Sequence, residues 1–335
     1  MTLPTKEQFS GCLIGQCLGD ALGFPVEGFP QELAEPYVQR LRIPGASDFL
    51  LGRADFKFGQ YTDDSQLARE LLQSYASVRR FDPQDYAARI AAIFREDRIV
   101  GRGLATDGAA RRLAQGVHWE EAGAAPSNAG NGSAMRAGPV GLLFAGDWER
   151  LTQVAHDQGR ITHQDRRCSA GAVAVAGAVA LAVRPGTIEV PQLVAELSEQ
   201  VRKFDDSFAD DVVRLREWVL LPPEDAVKII SQCGSPEFSD GWQWISPFVV
   251  PSVLWSLYSF LRTPENYWET VCTAISCGGD VDTTAAMAGA ISGAHVGLDA
   301  LPADFARHVT DRGTWGFSEL VSLAHQCHDI SHRTM

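Results

Sequence analysis

The spacing of apolar residues along the chain predicts a protein built from helices. Between Thr62 and Tyr75, leucine and tyrosine recur at helical spacing behind a polar start. Asp82-Pro83 predicts a further helix that runs through Arg95, because proline favours the first helical position. Segments with the alternating pattern of β-strands are scarce, and no repeat of solenoid length is visible. The pattern therefore predicts an all-α fold with many helices.

Two apolar segments carry a glycine at every fourth position. These glycines are Gly11, Gly15, Gly19 and Gly23 in the first segment, and Gly289, Gly293 and Gly297 in the second. On a helix this spacing makes a nearly continuous stripe without side chains. Each helical glycine costs up to about 1 kcal/mol relative to alanine, so the stripes require a packing reason. We expect both helices to be central and closely packed, with each other as candidate partners.

The remaining apolar and charged runs predict how the chain is divided. An apolar, small-residue run predicts a buried helix at about 165–183, and a Thr-Pro pair predicts the start of a helix over 264–277. The charged composition of 185–242 is typical of peripheral amphipathic helices with a solvated face. Because 335 residues can bury one large core, we expect a single compact domain over 1–335.

Composition and charge narrow the classes of function. Hydrophobic residues make up 45% of the chain and charged residues 21%, which is ordinary for a globular protein. The formal net charge of −13 disfavours general nucleic-acid binding. The seven cysteines include no CxxC pair and several lie in apolar runs, which indicates reduced thiols. No signal peptide or run long enough to span a bilayer is visible, so we expect a cytoplasmic protein without membrane contact.

Two clusters of aspartate and threonine each stand at a predicted helix start. They comprise Thr62, Asp63 and Asp64 in the first, and Asp280, Asp282 and Thr283 in the second. Either cluster alone fits simple capping of helical N–H groups. If the fold brings both together, four carboxylates share one small space, and they stay ionised only beside cations. Such clusters commonly bind two divalent ions about 3.5–4 Å apart, which neutralise the carboxylates. Ligands that are all oxygen atoms favour Mg²⁺ or Mn²⁺ over Zn²⁺.

Three weaker signals lie elsewhere in the chain. Glu27 follows Pro25, where the first helix should end and a loop begin. The polar turn 130–133 precedes an apolar run, and free N–H groups there would suit a phosphate or a ribose hydroxyl, although most such turns are only turns. His163 follows Thr162 at a helix junction, where a lone histidine is more often a capping or packing residue.

Five motifs together resemble the ADP-ribosylglycohydrolase family, which includes the dinitrogenase-reductase-activating glycohydrolases. In chain order they are GDALGFPVEG, TDDS at 62–65, GNGSAMR at 130–136, TH at 162–163 and GGDVDTTAAMAGAISGA at 278–294. They span about residues 10 to 302. The resemblance implies an all-α fold with a binuclear Mg²⁺ or Mn²⁺ centre in a cleft that binds ADP-ribose.

The same resemblance implies roles for individual residues. Both aspartate and threonine clusters look like metal ligands, and the catalytic set implied is Glu27, Asp63 and Asp280, with Glu27 positioning or activating water or touching a metal. The implied substrate-binding set is Asn128, Gly130, Asn131, Gly132, Ser133 and His163. Ser65 stands where many members have threonine, which keeps a hydroxyl. Asn128 stands where the nitrogenase-regulating enzymes carry an acid, and asparagine cannot act as a general base. Either Glu27 and the metals suffice here, or the acceptor linkage differs from ADP-ribosyl-arginine.

The activity expected from the resemblance is hydrolysis of the bond between C1″ of ADP-ribose and its acceptor. Partners would be an ADP-ribosylated protein or a small ADP-ribosyl compound. Two alternatives stay open: a hydrolase of a small ADP-ribosyl compound or nucleoside, and a non-catalytic ADP-ribose-binding relative. The presence of both acidic clusters and of Glu27 argues against the second alternative, because a site without catalytic function should lose carboxylates that repel one another.

Overall fold

The computed structural model describes residues 3–48, 50, 52–234 and 241–334. Within them the chain forms sixteen α-helices and no β-sheet, which confirms the all-α prediction. The helices are α1 (Lys6–Gly23), α2 (Gln31–Leu41), α3 (Asp63–Val78), α4 (Pro83–Arg95), α5 (Leu104–Ala114), α6 (Gly138–Leu143), α7 (Trp148–Arg160), α8 (Arg166–Ala182), α9 (Val190–Val201), α10 (Asp206–Trp218), α11 (Pro223–Ile230), α12 (Val249–Arg262), α13 (Tyr267–Ser276), α14 (Val281–Val296), α15 (Ala303–Ala306) and α16 (Phe317–Thr334).

Helices α1 and α14 form the centre of the fold and pack antiparallel along their glycine stripes. Gly11 lies against Gly293, and Gly19 lies against Ala285. A β-carbon at Gly11 or Gly19 would collide with the carbonyl oxygen of its opposite residue. The two backbones are therefore in direct contact, and the prediction of two central, closely packed helices is confirmed.

The bounds of three helices around this pair can be compared with the predicted spans, and one of them differs. Helix α4 occupies the predicted span, and α8 begins after Asp165, whose carboxylate accepts a hydrogen bond from the N–H of Arg167 at 2.9 Å. The predicted start of α13 at Pro264 is wrong. The helix begins at Tyr267, because the side chain of Asn266 accepts from the N–H of Glu269 at 3.1 Å and caps it there.

The segment 185–242 supplies α9, α10 and α11. Helix α9 packs on α8 and α10, and α10 packs on α12. Most acidic residues of the three helices are exposed, whereas Asp211 in α10 is buried. Six of the seven cysteines are buried, and all seven are free thiols in the described structure. Among the described residues, no helix combines the length and the apolar character that crossing a bilayer requires.

The start of α3 and the start of α14 meet beside the C-terminal end of α1. A β-carbon at Gly23, the last residue of α1, would lie 2.5 Å from the Cα of Asp282. One turn earlier in α1, the carboxylate of Asp20 accepts hydrogen bonds from the N–H of Thr62 at 2.9 and 3.0 Å. The fold thus brings the two acidic clusters together, which is the condition on which the predicted metal centre depended.

Candidate metal centre and ligand cleft

A cavity of about 490 Å³ opens where these helix ends meet. Twelve of the thirteen predicted site residues line it: Glu27, Thr62, Asp63, Asp64, Asn128, Gly130, Asn131, Gly132, His163, Asp280, Asp282 and Thr283. The volume lies in the range of small-molecule sites in general. These twelve residues come from five separate stretches of the chain and share one concave surface.

Hydrogen bonds between side chains join the two acidic clusters. The hydroxyl of Thr62 donates to Oδ2 of Asp64 at 2.9 Å. The hydroxyl of Thr283 lies 3.4 Å from the same oxygen and 3.2 Å from Oδ1 of Asp280. Residues more than two hundred positions apart in sequence thus contact one carboxylate.

Capping does not account for the residues that precede the two helices. Thr62 is the N-cap residue of α3 and Asp280 that of α14, yet within the described chain neither side chain accepts a hydrogen bond from its helix. Asp20 caps α3 from α1 instead, because its carboxylate accepts from the N–H of Thr62 and from that of Ser65 at 3.1 Å. The oxygens of the N-cap residues therefore face the cleft.

Burial and mutual repulsion raise the pKa values of the clustered carboxyls. Burial, followed by the charge of Glu27, raises the pKa of Asp63 to about 7 and that of Asp280 to about 7. Burial and the neighbouring carboxylates raise the pKa values of Asp64 and Asp282 well above the usual range. Such a group holds its full negative charge at neutral pH only when cations lie beside it.

The arrangement of oxygens fits hard divalent cations. Asp20, Asp64 and Asp282 each place a carboxylate oxygen within 4.8 Å of the others, and so do Glu27, Asp280 and Asp282. The two groups share Asp282. In the part of the chain that the structure describes, Oδ1 of Asp64 is buried without a hydrogen-bond partner. A buried carboxylate oxygen without a donor is the environment that a Mg²⁺ or Mn²⁺ ion would satisfy.

Glu27 stands at the rim of the cavity and is held by an ion pair. Nη1 of Arg53 lies 2.9 Å from Oε2 of Glu27, and the same nitrogen donates to the carbonyl oxygens of Phe24 and Glu27. Burial raises the pKa of Glu27, and the charge of Arg53 partly opposes that rise. The carboxylate is the least buried of the predicted catalytic set, with 30% of its side chain exposed.

The polar turn at 130–133 divides between the cleft and the core. The amide of Asn131 donates to Oδ2 of Asp280 at 2.5 Å and to the hydroxyl of Ser252 at 2.9 Å. It therefore orients a candidate metal ligand as well as lining the cavity. Ser133 is fully buried behind the wall and donates its hydroxyl to the carbonyl of Cys168 at 2.9 Å. Ser133 is the one predicted site residue that does not line the cavity.

His163 lies against the same turn, with its imidazole in the cavity wall. A β-carbon on Gly130 would lie 3.2 Å from Nε2, and one on Gly132 would lie 3.3 Å from it. The other ring nitrogen, Nδ1, is 2.8 Å from the hydroxyl of Thr162. Burial, together with the charge of Arg136, lowers the pKa of His163 to about 3, so the ring is neutral at physiological pH.

A family model decides which known proteins this chain resembles. The model of the ADP-ribosylglycohydrolases matches residues 1–334. The chain belongs to the ADP-ribosylglycohydrolase family. The resemblance seen in the five sequence motifs is thereby confirmed.

Individual relatives cover nearly the whole chain. ADP-ribosylhydrolase ARH3 of Gallus gallus is 28% identical over 365 residues, which cover 98% of this chain and 94% of that protein. ADP-ribosylarginine hydrolase Tri1 of Pseudomonas putida is 26% identical over 318 residues, covering 90% and 74%. A solved structure titled ADP-ribosylglycohydrolase-related protein complex aligns with a TM-score of 0.69 and 27% identity, covering 97% and 98% of the two chains.

Several residues of this family member line or support the cleft without having been predicted. The stretch 101–106 and Trp242 line the cavity, and Asp20 supports it from α1. Gly101 has a φ of 78°, and a β-carbon there would lie 2.5 Å from Oδ1 of Asp63. The two closely spaced glycines, Gly101 and Gly103, were the sequence signal that could have identified this stretch. Trp242 ends the charged segment 185–242, for which the sequence predicted peripheral helices and no site residue.

Proposed function

We propose that the protein is a divalent-metal-dependent hydrolase that releases ADP-ribose from an acceptor by cleaving at C1″ of the distal ribose. The observation that carries this proposal is the single carboxylate of Asp64, which both acidic clusters contact inside one cleft. Membership of the ADP-ribosylglycohydrolase family supplies the substrate. The geometry supports the metals.

The acids and threonines would hold two cations, Mg²⁺ or Mn²⁺. The proposed ligands are Thr62, Asp63, Asp64, Asp280, Asp282 and Thr283. Two such cations, when bound, supply positive charge that orients hydroxyl groups and stabilises charge that develops during cleavage. Asn131 keeps the carboxylate of Asp280 turned into the cleft through its amide. Asp20 keeps the first cluster in place through two backbone N–H groups.

Glu27 is the proposed general base. Its carboxylate is half-buried at the cavity rim, its pKa is raised by burial, and Arg53 fixes its orientation. A raised pKa brings a carboxylate nearer to the operating pH, where it accepts a proton most effectively. Glu27 would take a proton from the water that attacks C1″, as the ribose passes through an oxocarbenium-like state. Asn128 lines the same cleft, but its amide cannot perform that task.

The opposite wall of the cleft is proposed to bind the ADP-ribose. Asn128, Asn131 and the glycines between and beside them present amide groups and open backbone. Neutral His163 adds a ring nitrogen without adding charge. The glycines at 130 and 132 leave room for this imidazole, because a β-carbon on Gly130 would lie 3.2 Å and one on Gly132 3.3 Å from its Nε2.

The deciding experiment offers the protein several ADP-ribosylated acceptors. Arginine-linked peptides, serine-linked peptides and a small ADP-ribosyl compound are each incubated with Mg²⁺, with Mn²⁺ and with a chelator, and free ADP-ribose is measured. We expect release that depends on the metal and a preference for one linkage. ADP-ribose binding without release from any acceptor would point to a non-catalytic relative instead.

Two substitutions and a matched control test the site. Asp63→Asn and Asp280→Asn should each reduce release by at least about a hundredfold, because each removes a charged ligand. Asp299→Asn removes an exposed aspartate outside the cleft and should leave release unchanged. Full turnover in either cleft variant would contradict the assignment of the metal centre.

A further inference from the structure

Behind the cavity wall, a buried arginine and a threonine are linked to His163. The guanidinium of Arg136 is fully buried and lies over the ring of Tyr86, 5.7 Å from its centroid. Nε donates to the side-chain oxygen of Gln158 at 2.8 Å, and Nη2 donates to the carbonyl of Gln158 at 2.7 Å. Nη2 also lies 2.8 Å from the hydroxyl oxygen of Thr162. Arg136 is thus fixed in position, with one donor aimed at Thr162.

The direction of each hydrogen bond in this chain follows from which groups can accept. A guanidinium only donates, so the oxygen of Thr162 must accept from Arg136. The hydroxyl proton of Thr162 then has two candidate acceptors, which are Nδ1 of His163 at 2.8 Å and the carbonyl of Gly159 at 3.4 Å. The first distance is that of a normal hydrogen bond, and the second exceeds the usual O–H···O range of about 2.5–3.0 Å. Nδ1 of His163 therefore accepts and carries no proton.

We infer that Arg136 and Thr162 are positioning residues that hold neutral His163 in the tautomer with its proton on Nε2. In this form the imidazole is a permanent N–H donor at the cleft, and it takes no part in proton transfer. This inference rests on the proposed function in one respect. The acceptor of the hydrogen bond from Nε2 is taken to be an oxygen atom of ADP-ribose.

The surroundings of Nε2 support a ligand as the receiving partner. Nε2 lies beside Gly130 and Gly132, on the side of the ring that faces the polar turn of the cleft. Within the described residues, the imidazole of His163 makes its hydrogen bond through Nδ1, and Nε2 makes none. An N–H group at the edge of a cavity is satisfied by a ligand oxygen or by water. A phosphate or hydroxyl oxygen of ADP-ribose has the matching chemistry.

The imidazole of His163 must stay neutral to keep Nδ1 unprotonated, and two features keep it neutral. His163 is buried with only 3% of its surface exposed, and the fixed cation of Arg136 lies behind it. Both disfavour a second proton on the ring. The tautomer is then decided by the hydroxyl of Thr162 alone, because it is the group that faces Nδ1.

Nitrogen NMR on ¹⁵N-histidine-labelled protein, without substrate and with Mg²⁺ present, tests the inference directly. Long-range ¹H–¹⁵N correlations distinguish protonated from unprotonated ring nitrogens in each of the eight histidines. A spectrum of His163→Gln assigns the His163 signals by their loss. We expect an unprotonated Nδ1 and a protonated Nε2 near neutral pH. A protonated Nδ1 would overturn the inference.

Three threonine variants separate positioning from general packing. Thr162→Val removes the hydroxyl and should populate both tautomers and weaken ADP-ribose binding about tenfold in calorimetry, the loss of roughly one hydrogen bond. Thr162→Ser keeps the hydroxyl and should retain the wild-type signals and affinity. Thr152→Val removes a buried hydroxyl that lacks a partner among the described residues, and it should change neither.

The outcomes remain distinct from those that test the proposed function. An unaltered His163 spectrum in Thr162→Val would contradict the inference even if the enzyme released ADP-ribose as proposed. Conversely, absence of hydrolysis would end the proposed function and leave the tautomer assignment intact, because the spectra are recorded without substrate. If Thr162→Val did not fold, the wild-type and Thr162→Ser spectra would still decide.

Discussion

Asp20 shows how one residue prepares the candidate metal centre without standing in a recognisable cluster. Its carboxylate is fully buried and accepts from the backbone N–H groups of Thr62 and Ser65. It also lies within reach of Asp64 and Asp282. Burial raises its pKa to about 7, and the hydrogen bonds oppose that rise. We therefore assign Asp20 two tasks, which are capping α3 and fixing the first acidic cluster.

Asp20→Ala should lower both stability and metal affinity. Loss of the cap should cost about 1–2 kcal/mol of unfolding free energy, measured by urea unfolding. Loss of a group that supports metal ligands should weaken Mg²⁺ binding about 10–100-fold in calorimetric titration. Asp82→Ala removes the cap of α4, which accepts from Gln84 and Asp85, and should lower stability alone. Unchanged Mg²⁺ affinity in Asp20→Ala would refute the second task.

Glu27 and Arg53 allow a prediction about pH. The proposed base is active when deprotonated, and the charge of Arg53 lowers its pKa against the effect of burial. Arg53→Met removes that charge, so the pKa of Glu27 should rise and the acidic limb of the rate profile should move to higher pH. We expect a shift below about one unit, because the pair is partly exposed to solvent. Arg53→Lys keeps the charge and should move the limb less. A limb that moved to lower pH in Arg53→Met would exclude Glu27 as the base.

Residue chemistry predicted the members of the cleft that carry carboxylates in clusters, and it missed those that act through tertiary contacts. Asp63 and Asp280 were found because two acidic clusters of the same make-up stand at two helix starts, although either one alone fits capping. Asp20 reads as one polar residue within a glycine stripe, since its partner Thr62 lies 42 positions along the chain. The capping interpretation of Thr62 was wrong for the same reason. A helix can be capped by a residue from another helix, and local sequence does not contain that information.

At the scale of elements, the glycine stripes gave the most accurate structural prediction. They predicted two closely packed helices because bare helical faces are costly unless another backbone fills them. The antiparallel contact of α1 with α14 then places the end of one helix beside the start of the other. The start of α13 was predicted less well, because Pro264 and Asn266 are both competent helix-start residues and only the observed side-chain bond selects Asn266.

The same substitution should have opposite effects in two helices. Gly19→Ala places a methyl group into the carbonyl of Ala285, so we expect a loss of about 1–3 kcal/mol and weaker Mg²⁺ binding. Gly108→Ala in α5 meets only the flexible end of Arg112 at 3.4 Å and should gain about 0.5–1 kcal/mol. Chemical unfolding of both variants measures the contrast. A neutral Gly19→Ala would mean that the two backbones are not in contact in solution.

At the scale of the whole molecule, the central pair joins distant parts of the sequence. Helix α1 lies near the start of the chain and α14 near its end. The last residue of α1, Gly23, lies against Asp282 at the start of α14, and these two helix ends border the cleft. One domain over 1–335 stays a prediction. The sequence could not have shown which surface the clusters share, because the distance between Asp64 and Thr283 is set by helix packing and not by spacing.

The acidic centre should make the stability of the metal-free protein depend on pH in an unusual direction. The pKa values of Asp63 and Asp280 are raised to about 7 in the folded protein, against about 4 in an unfolded chain. Between these values the folded state binds more protons, so unfolding free energy falls as pH rises. Cations that neutralise the carboxylates remove the need for those protons. With chelator, Tm should therefore drop from pH 5 to pH 8, and Mg²⁺ should suppress most of that drop.

The size of this effect and its origin can be tested with one variant. Since about 1 kcal/mol shifts Tm by about 2–4 °C in domains of 150–250 residues, we expect a chelator-dependent drop of about 5 °C or more. Asp280→Asn replaces a repelling carboxylate with a neutral amide, so without metal it should be more stable than the wild type at pH 8. The same variant should lose ADP-ribose release. Asp299→Asn should follow the wild type in both respects. If Asp280→Asn were less stable than the wild type at pH 8 with chelator present, carboxylate repulsion would not be the dominant force in this centre. Greater stability together with lost activity would show that the fold sustains these charges for the sake of the cations.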